Sequence, residues 1–218
     1  MTDLRKYFAA AILIIAVSSV FADGYSKEKA REDIIKLLRS SKMNKELDGP
    51  VTVTVDKNGI ICIRDPGNYL TQYMIAKPDS KIAQDPNVVI DKAVNVPATV
   101  KNAVIVTHGW IDKWAKDWPA EIAAAIRDKV DPNEWVCAYF DWKHGAIVLS
   151  PVDAVRYARD IAASRLTKAL LAMLPEAGKL KHIHIIAHSA GSWSATISGE
   201  EIAKATGLRT IAPAFQSK

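Results

Sequence analysis

Cysteine is scarce in this sequence: Cys62 and Cys137 are the only two. They lack metal-ligand spacing, which excludes a structural zinc site. An exported protein permits a disulfide, yet both sit inside apolar, strand-like runs, and two buried thiols are the simpler expectation. No run of basic residues interleaves with aromatics. The formal net charge of +5 is scattered among 24 acidic residues. It therefore reads as a solvated surface with a mild attraction for anionic lipid surfaces, and nucleic acid is excluded as a partner. No apolar run reaches the ~18–20 residues a membrane span needs. There is no internal repeat and no low-complexity segment, and nothing implies a metal or organic cofactor.

What is present suits a globular domain. The chain has 218 residues, 49% hydrophobic and 24% charged, enough to bury a real core. Its first segment reads as a signal peptide over 1–22. Arg5 and Lys6 supply the positive end, Phe8 to Val17 is almost wholly apolar, and Val20-Phe21-Ala22 fits a cleavage site ahead of Asp23. Export, secreted or periplasmic, is the expected localisation, with residues 23–218 forming a single domain.

Residues 25–41 place Ile34, Ile35, Leu37 and Leu38 among charges, which predicts a short amphipathic helix. Val51, Val53 and Val55 alternate with threonines, and Asp56-Lys57-Asn58-Gly59 separates them from Ile60–Ile63, a hairpin signal. Further strands are expected at Leu70–Ala76 and Val88–Ile90, so the first third reads as antiparallel. After Lys101 the pattern changes. Ala103–Thr107 is a continuous apolar run, as in a strand covered on both faces. Helices are expected over 117–130 and 152–174, the second ended by Pro175 and Gly178. Between them lie a strand at Trp135–Phe140 and a loop at Asp141–Gly145. An apolar strand at 182–187, a helix over 190–206 stopped by Gly207, and a strand at Leu208–Ala212 complete the alternation. Such alternation implies a parallel sheet with helices on both faces. Trp110, Trp114 and Trp118 recur every four residues and would share one side of a helix or the rim of a cleft.

The most informative stretch is His184-Ile185-Ile186-Ala187-His188-Ser189-Ala190-Gly191. An apolar strand runs into small residues and then directly into a helix, the pattern of a nucleophile elbow. Such a turn strains its serine, so residues two before and two after must be small; here they are Ala187, where glycine is usual, and Gly191. The Ala190 N–H would open the helix, where partial positive charge stabilises an oxyanion. An ordinary strand-turn-helix with a capping serine is the plain alternative.

Three segments together resemble the pancreatic-lipase-like family of the α/β-hydrolase superfamily: Val106-Thr107-His108-Gly109-Trp110-Ile111-Asp112-Lys113, Phe140-Asp141-Trp142, and the elbow. The likeness covers about residues 100–215. It implies an α/β-hydrolase-type sheet, mainly parallel, with an N-terminal antiparallel hairpin. It also implies a serine esterase or lipase acting on an ester or lipid substrate through an acyl-serine. Ser189 would be the nucleophile, and the backbone N–H groups of Trp110 and Ala190 the oxyanion hole. His108 would orient the oxyanion loop, and Asp141 would be a fold-stabilising carboxylate. In this fold an acid and then a histidine follow the serine, but all five histidines, His108, His144, His182, His184 and His188, precede it. His144 is the internal base left open. Where the family has an Asp before Pro-Ala, this sequence has Ala212. The expectation is therefore an incomplete domain lacking its final strands, either the N-terminal part of a longer enzyme or a truncated product of one. The alternatives are a catalytically inactive relative that binds lipid or protein, and a bare domain in which Ser189 is only a turn residue.

Overall fold

The computed structural model describes residues 49–67, 87–110, 117–146, 148, 150–174 and 179–208. The expected leader, the helix over 25–41 and the strand Leu70–Ala76 lie outside them, as does Ala212; Leu208 is described and is not in a strand. Six strands form one sheet: β1 (Val51–Val55), β2 (Ile61–Arg64), β3 (Val88–Ile90), β4 (Asn102–Thr107), β5 (Trp135–Asp141) and β6 (His182–Ala187). Their spatial order is β3-β1-β2-β5-β4-β6.

The hairpin forms as expected, with β1 antiparallel to β2 and Val55 opposite Ile61. Its turn is closed chiefly by Asp56, whose Oδ1 accepts the N–H groups of Asn58 and Ile60 at 2.8 and 2.9 Å. This is the local side-chain bonding that suits aspartate to turns. The expectation that the whole first third is antiparallel is corrected: β3 runs parallel to β1, and β2 parallel to β5. Only a tight turn forces antiparallel pairing. Residues 65–87 reverse the chain again between β2 and β3, and because β3 pairs with β1 rather than with β2, it lies parallel to its neighbour.

β4 pairs in parallel with both β5 and β6 and is buried at all six positions, which accounts for its unbroken apolar sequence. On one face, Ala103, Ile105, Ala138 and Phe140 pack against Ile161, Leu166, Leu170 and Ile202. Ile161 belongs to the π-helical turn Ala158–Ala162, which follows α3 (Pro151–Tyr157); Leu166 and Leu170 belong to α4 (Ala163–Met173), and Ile202 to α5 (Gly191–Thr206). On the other face, Ile60, Val106, Tyr139 and Ile186 meet Ala123 and Trp118 of α1 (Trp118–Arg127). Helices thus cover both faces, and the fold is α/β. The Ser150 hydroxyl caps α3 by accepting the Val152 N–H at 3.2 Å.

Three further expectations change. The loop after β5 contains a short helix, α2 (Lys143–Ala146). The helix expected to 130 ends at Arg127. Trp110 stands in a turn and Trp118 opens α1, so these two do not line one helix, and Trp114 lies outside the described residues. Cys62 and Cys137 are free and buried, and burial pushes both thiols up. Cys62 faces Tyr139 across the β2–β5 ladder, so Cys137 is its diagonal neighbour. Diagonal pairs stand roughly 7–8 Å apart, beyond disulfide reach.

Leu170 is fully buried between sheet and helices. Leu170→Ala is expected to lower stability by about 2–5 kcal/mol, the range for a cavity of that size, measured as a fall in the urea midpoint at unchanged m.

Candidate active site

The parallel register of β4 and β6 pairs Thr107 with Ala187, so the two strands end level and their loops leave side by side. The loop after β6 carries Ser189 at φ +51°, the one non-glycine residue with positive φ among those described. That conformation is uncommon outside glycine and costs on the order of 1–3 kcal/mol. Ser189 is exposed. It does not cap the helix: Ala190 occupies the N-cap position of α5, and no side chain bonds there. The capping explanation for this serine therefore fails.

The loop after β4 is held from inside by Trp142. The indole N–H donates to the His108 carbonyl at 3.0 Å and to Thr107 Oγ1 at 3.1 Å. The indole ring lies parallel to the His108 imidazole, centroids 5.2 Å apart. His108 Nε2 accepts the Trp142 backbone N–H at 3.1 Å, and Nδ1 lies 2.9 Å from the Gly109 carbonyl. A carbonyl only accepts and an amide N–H only donates, so these partners assign the proton to Nδ1. With both nitrogens committed, His108 orients its loop and is not placed to act as a base. The Gly109 carbonyl is thus turned toward His108, and in a trans peptide the Trp110 N–H points the opposite way.

Loop and elbow touch closely. A Cβ on Gly109 would stand 2.8 Å from both Ser189 Cβ and the His188 carbonyl, and one on Gly191 would stand 2.2 Å from the His108 carbonyl. The requirement for a small residue two positions after the serine therefore has a specific cause, the backbone of the neighbouring loop. The Trp110 indole N–H donates to the Val148 carbonyl at 3.0 Å, and Trp118 meets the His188 ring edge-on at 6.1 Å.

Asp141 ends β5. Its carboxylate accepts from Arg64 Nε at 3.2 Å and from the Lys143 backbone N–H at 3.2 Å, with Lys143 Nζ 3.4 Å away. Burial alone would raise this carboxyl, but the Lys143 and Arg64 cations beside it hold it well below the usual carboxylate range. The His108 contact, 3.7 Å from Nε2, is longer than a hydrogen bond, and Nε2 is already an acceptor. The two cations and the amide are the bonded partners. Asp141 is thus a structural carboxylate, as its position before the serine suggests.

His144 stands on α2, where burial first, and the Lys143 cation second, lower it below the ordinary histidine value. That direction favours the neutral form a base requires. But β5 and β6 lie on opposite sides of β4, which separates their ends by about 10 Å, two strand spacings. His182 and His184 are exposed on one face of β6, and His188 is exposed beside Trp118.

A buried polar cluster beneath Trp142 went unseen in the sequence. Asp65 and Arg165 pair at 2.6 Å with 0% and 1% of their side chains exposed, and the Tyr157 hydroxyl donates to Asp65 at 2.9 Å. Arg64-Asp65-Pro66-Gly67 reads as turn chemistry, and Arg165 as a polar position of an amphipathic helix. Nothing in spacing announces that they meet.

No family model matches this sequence, and no solved structure matches it. Two curated proteins are similar to it. Pancreatic lipase-related protein 2 of Sus scrofa is 29% identical over 122 residues, 51% of this chain and 24% of the relative. Pancreatic lipase-related protein 2 of Homo sapiens is 29% identical over 119 residues, 52% and 24%. The chain spans about a quarter of the length of these relatives. The relationship is distant, and the mixed, mostly parallel sheet is compatible with an α/β-hydrolase origin.

Gly191→Ala is expected to separate loop from elbow and lower stability by about 1–3 kcal/mol, read from thermal unfolding, whereas Gly199→Ala, with open space around it, leaves stability unchanged or raised. Because the folded Asp141 carboxyl is depressed, its contribution is complete above the unfolded value of about 3.9. That contribution is lost as pH falls from there through the folded value. Asp141→Asn should therefore cost about 1–3 kcal/mol at pH 7, toward the low end because Arg64 and Lys143 are half exposed. It should also flatten the unfolding free energy below pH 4, measured by denaturant titration across pH.

Proposed function

We propose that this chain is part of an exported serine hydrolase that cleaves carboxylic esters, lipid esters among them, through an acyl-serine intermediate. The observation that carries the reading is Ser189 at φ +51°, exposed at a strand-helix junction and in contact with the His108–Trp110 loop. Backbone strain of this kind, where no cap or glycine requires it, is a mark of functional positions. The distant likeness to pancreatic lipase-related proteins supports the same class.

In this reading Ser189 Oγ attacks the ester carbonyl, and the N–H groups of Trp110 and Ala190 receive the developing oxyanion. The Ala190 N–H is among the first of α5, whose leading amides have no intrahelical partner. A general base must take the serine proton. His108 is committed elsewhere, and the order of this fold places the acid and the histidine after the serine, so the base is sought beyond α5. Residues 1–22 serve as the export signal, cleaved near Ala22, and residues 23–218 belong to one domain. Substrate contact at a lipid surface fits the excess of positive charge.

Ala212, standing before Pro213-Ala214 where the resembled family has an Asp, favours one second reading, a relative without catalysis that binds lipid or protein through the same face. A fluorophosphonate probe and a short-chain p-nitrophenyl ester separate the two when applied to the complete protein. Stoichiometric labelling of Ser189 and ester turnover are expected. Ser189→Ala should lose both, a fall of at least about 10⁴ in kcat, with an unchanged circular dichroism spectrum. An unlabelled Ser189 with saturable binding to anionic phosphatidylglycerol vesicles would establish the second reading instead.

A further inference from the structure

We infer that Tyr157, held by the buried Asp65–Arg165 pair, is a positioning residue for the oxyanion loop and acts through the Trp142 indole. The inference rests on the reading of Trp110 as an oxyanion donor.

The contacts form an unbroken column. Asp65 is fixed at both oxygens: Oδ1 accepts from Arg165 and from the Gly67 N–H at 2.8 Å, and Oδ2 accepts from Tyr157. The Tyr157 ring lies parallel to the Trp142 indole, 6° between planes and centroids 6.2 Å apart. Trp142 in turn lies parallel to His108, again at 6°. The far end of this column is the His108 carbonyl and imidazole, which set the two peptides leading to the Trp110 N–H.

The backbone of the long helix is altered where the column requires it. Tyr157 and Arg165 are eight residues apart, which in a regular α-helix puts their side chains about 80° apart around the axis. The π turn at Ala158–Ala162 accommodates one extra residue. The same eight residues then behave like seven, about 20° apart, and both side chains reach one carboxylate. A π turn sacrifices regular hydrogen bonding, and such turns concentrate at functional sites. A buried ion pair is itself weak evidence of stabilisation, since desolvation offsets its attraction. Fixing a geometry is the better-founded use of one here. Asp65 also donates its own N–H to the Asp141 carbonyl at 2.9 Å, which ties the base of the column to the strand end that carries Trp142.

Tyr157→Phe in the complete protein tests this, because it keeps the stacked ring and removes the bond to Asp65. Two readouts are taken. The first needs no activity: 15N NMR of histidine-labelled protein and of the Trp142 indole N–H. Wild type is expected to show His108 locked with its proton on Nδ1, and the variant to show tautomer averaging and a shifted, faster-exchanging indole N–H. The second is ester hydrolysis, where kcat is expected to fall on the order of 10-fold with KM within two-fold. That is short of the ~10²–10³ for loss of a whole oxyanion donor. An unchanged His108 tautomer and unchanged kcat, alongside a lowered melting temperature, would make Tyr157 merely structural and overturn the inference. Turnover that survives Ser189→Ala would instead overturn the serine reading, while the NMR arm still decides whether the column holds the loop.

Discussion

The bond from the Trp142 indole N–H to the His108 carbonyl is the contact on which the site depends. That carbonyl is caught between the indole on one side and the Cα of Gly191 on the other. A peptide unit so confined has one orientation, and the next peptide is fixed by the imidazole of the same residue. The strained serine and the loop beside it are thereby parts of one assembly, each excluding alternative conformations of the other. The fixed course of this loop thus has an identifiable origin in packing.

Two carboxylates organise the polar groups around the site. Asp141 faces outward and gathers Arg64 and Lys143, both half exposed. Asp65 gathers Arg165 and Tyr157 in full burial. The two carboxylates are joined through one backbone bond yet differ in kind. The first is paired with half-exposed cations and is released by acid, and the second is paired wholly in the interior.

Much of the α/β half was legible in the sequence, because its signals are local and periodic. The apolar run of β4, the elbow strand and α5 fall where composition and spacing put them. Parallel pairing of β3 was not legible, since short strands carry no mark of direction and only the hairpin turn imposes one. The serine turn was legible from its small residues. The Asp65–Tyr157–Arg165 cluster was not, because it joins residues about a hundred positions apart, and because a π turn shifts the phase of the helix pattern between Tyr157 and Arg165. The role of Trp142 was visible only as half of an Asp-Trp pair and not as the clamp of a neighbouring loop.

The level register of β4 and β6, from Asn102 beside His182 to Thr107 beside Ala187, works as a ruler. Each residue advances a strand by about 3.3 Å and reverses the side its neighbours face. One residue gained or lost within β6 would therefore both shift Ser189 from its partner loop and turn Ile183 and Ile185 out of the core. The distance between the two loops is thus written in the sequence as a strand length, and a change of chain length is accommodated in the connections at the opposite end of these strands.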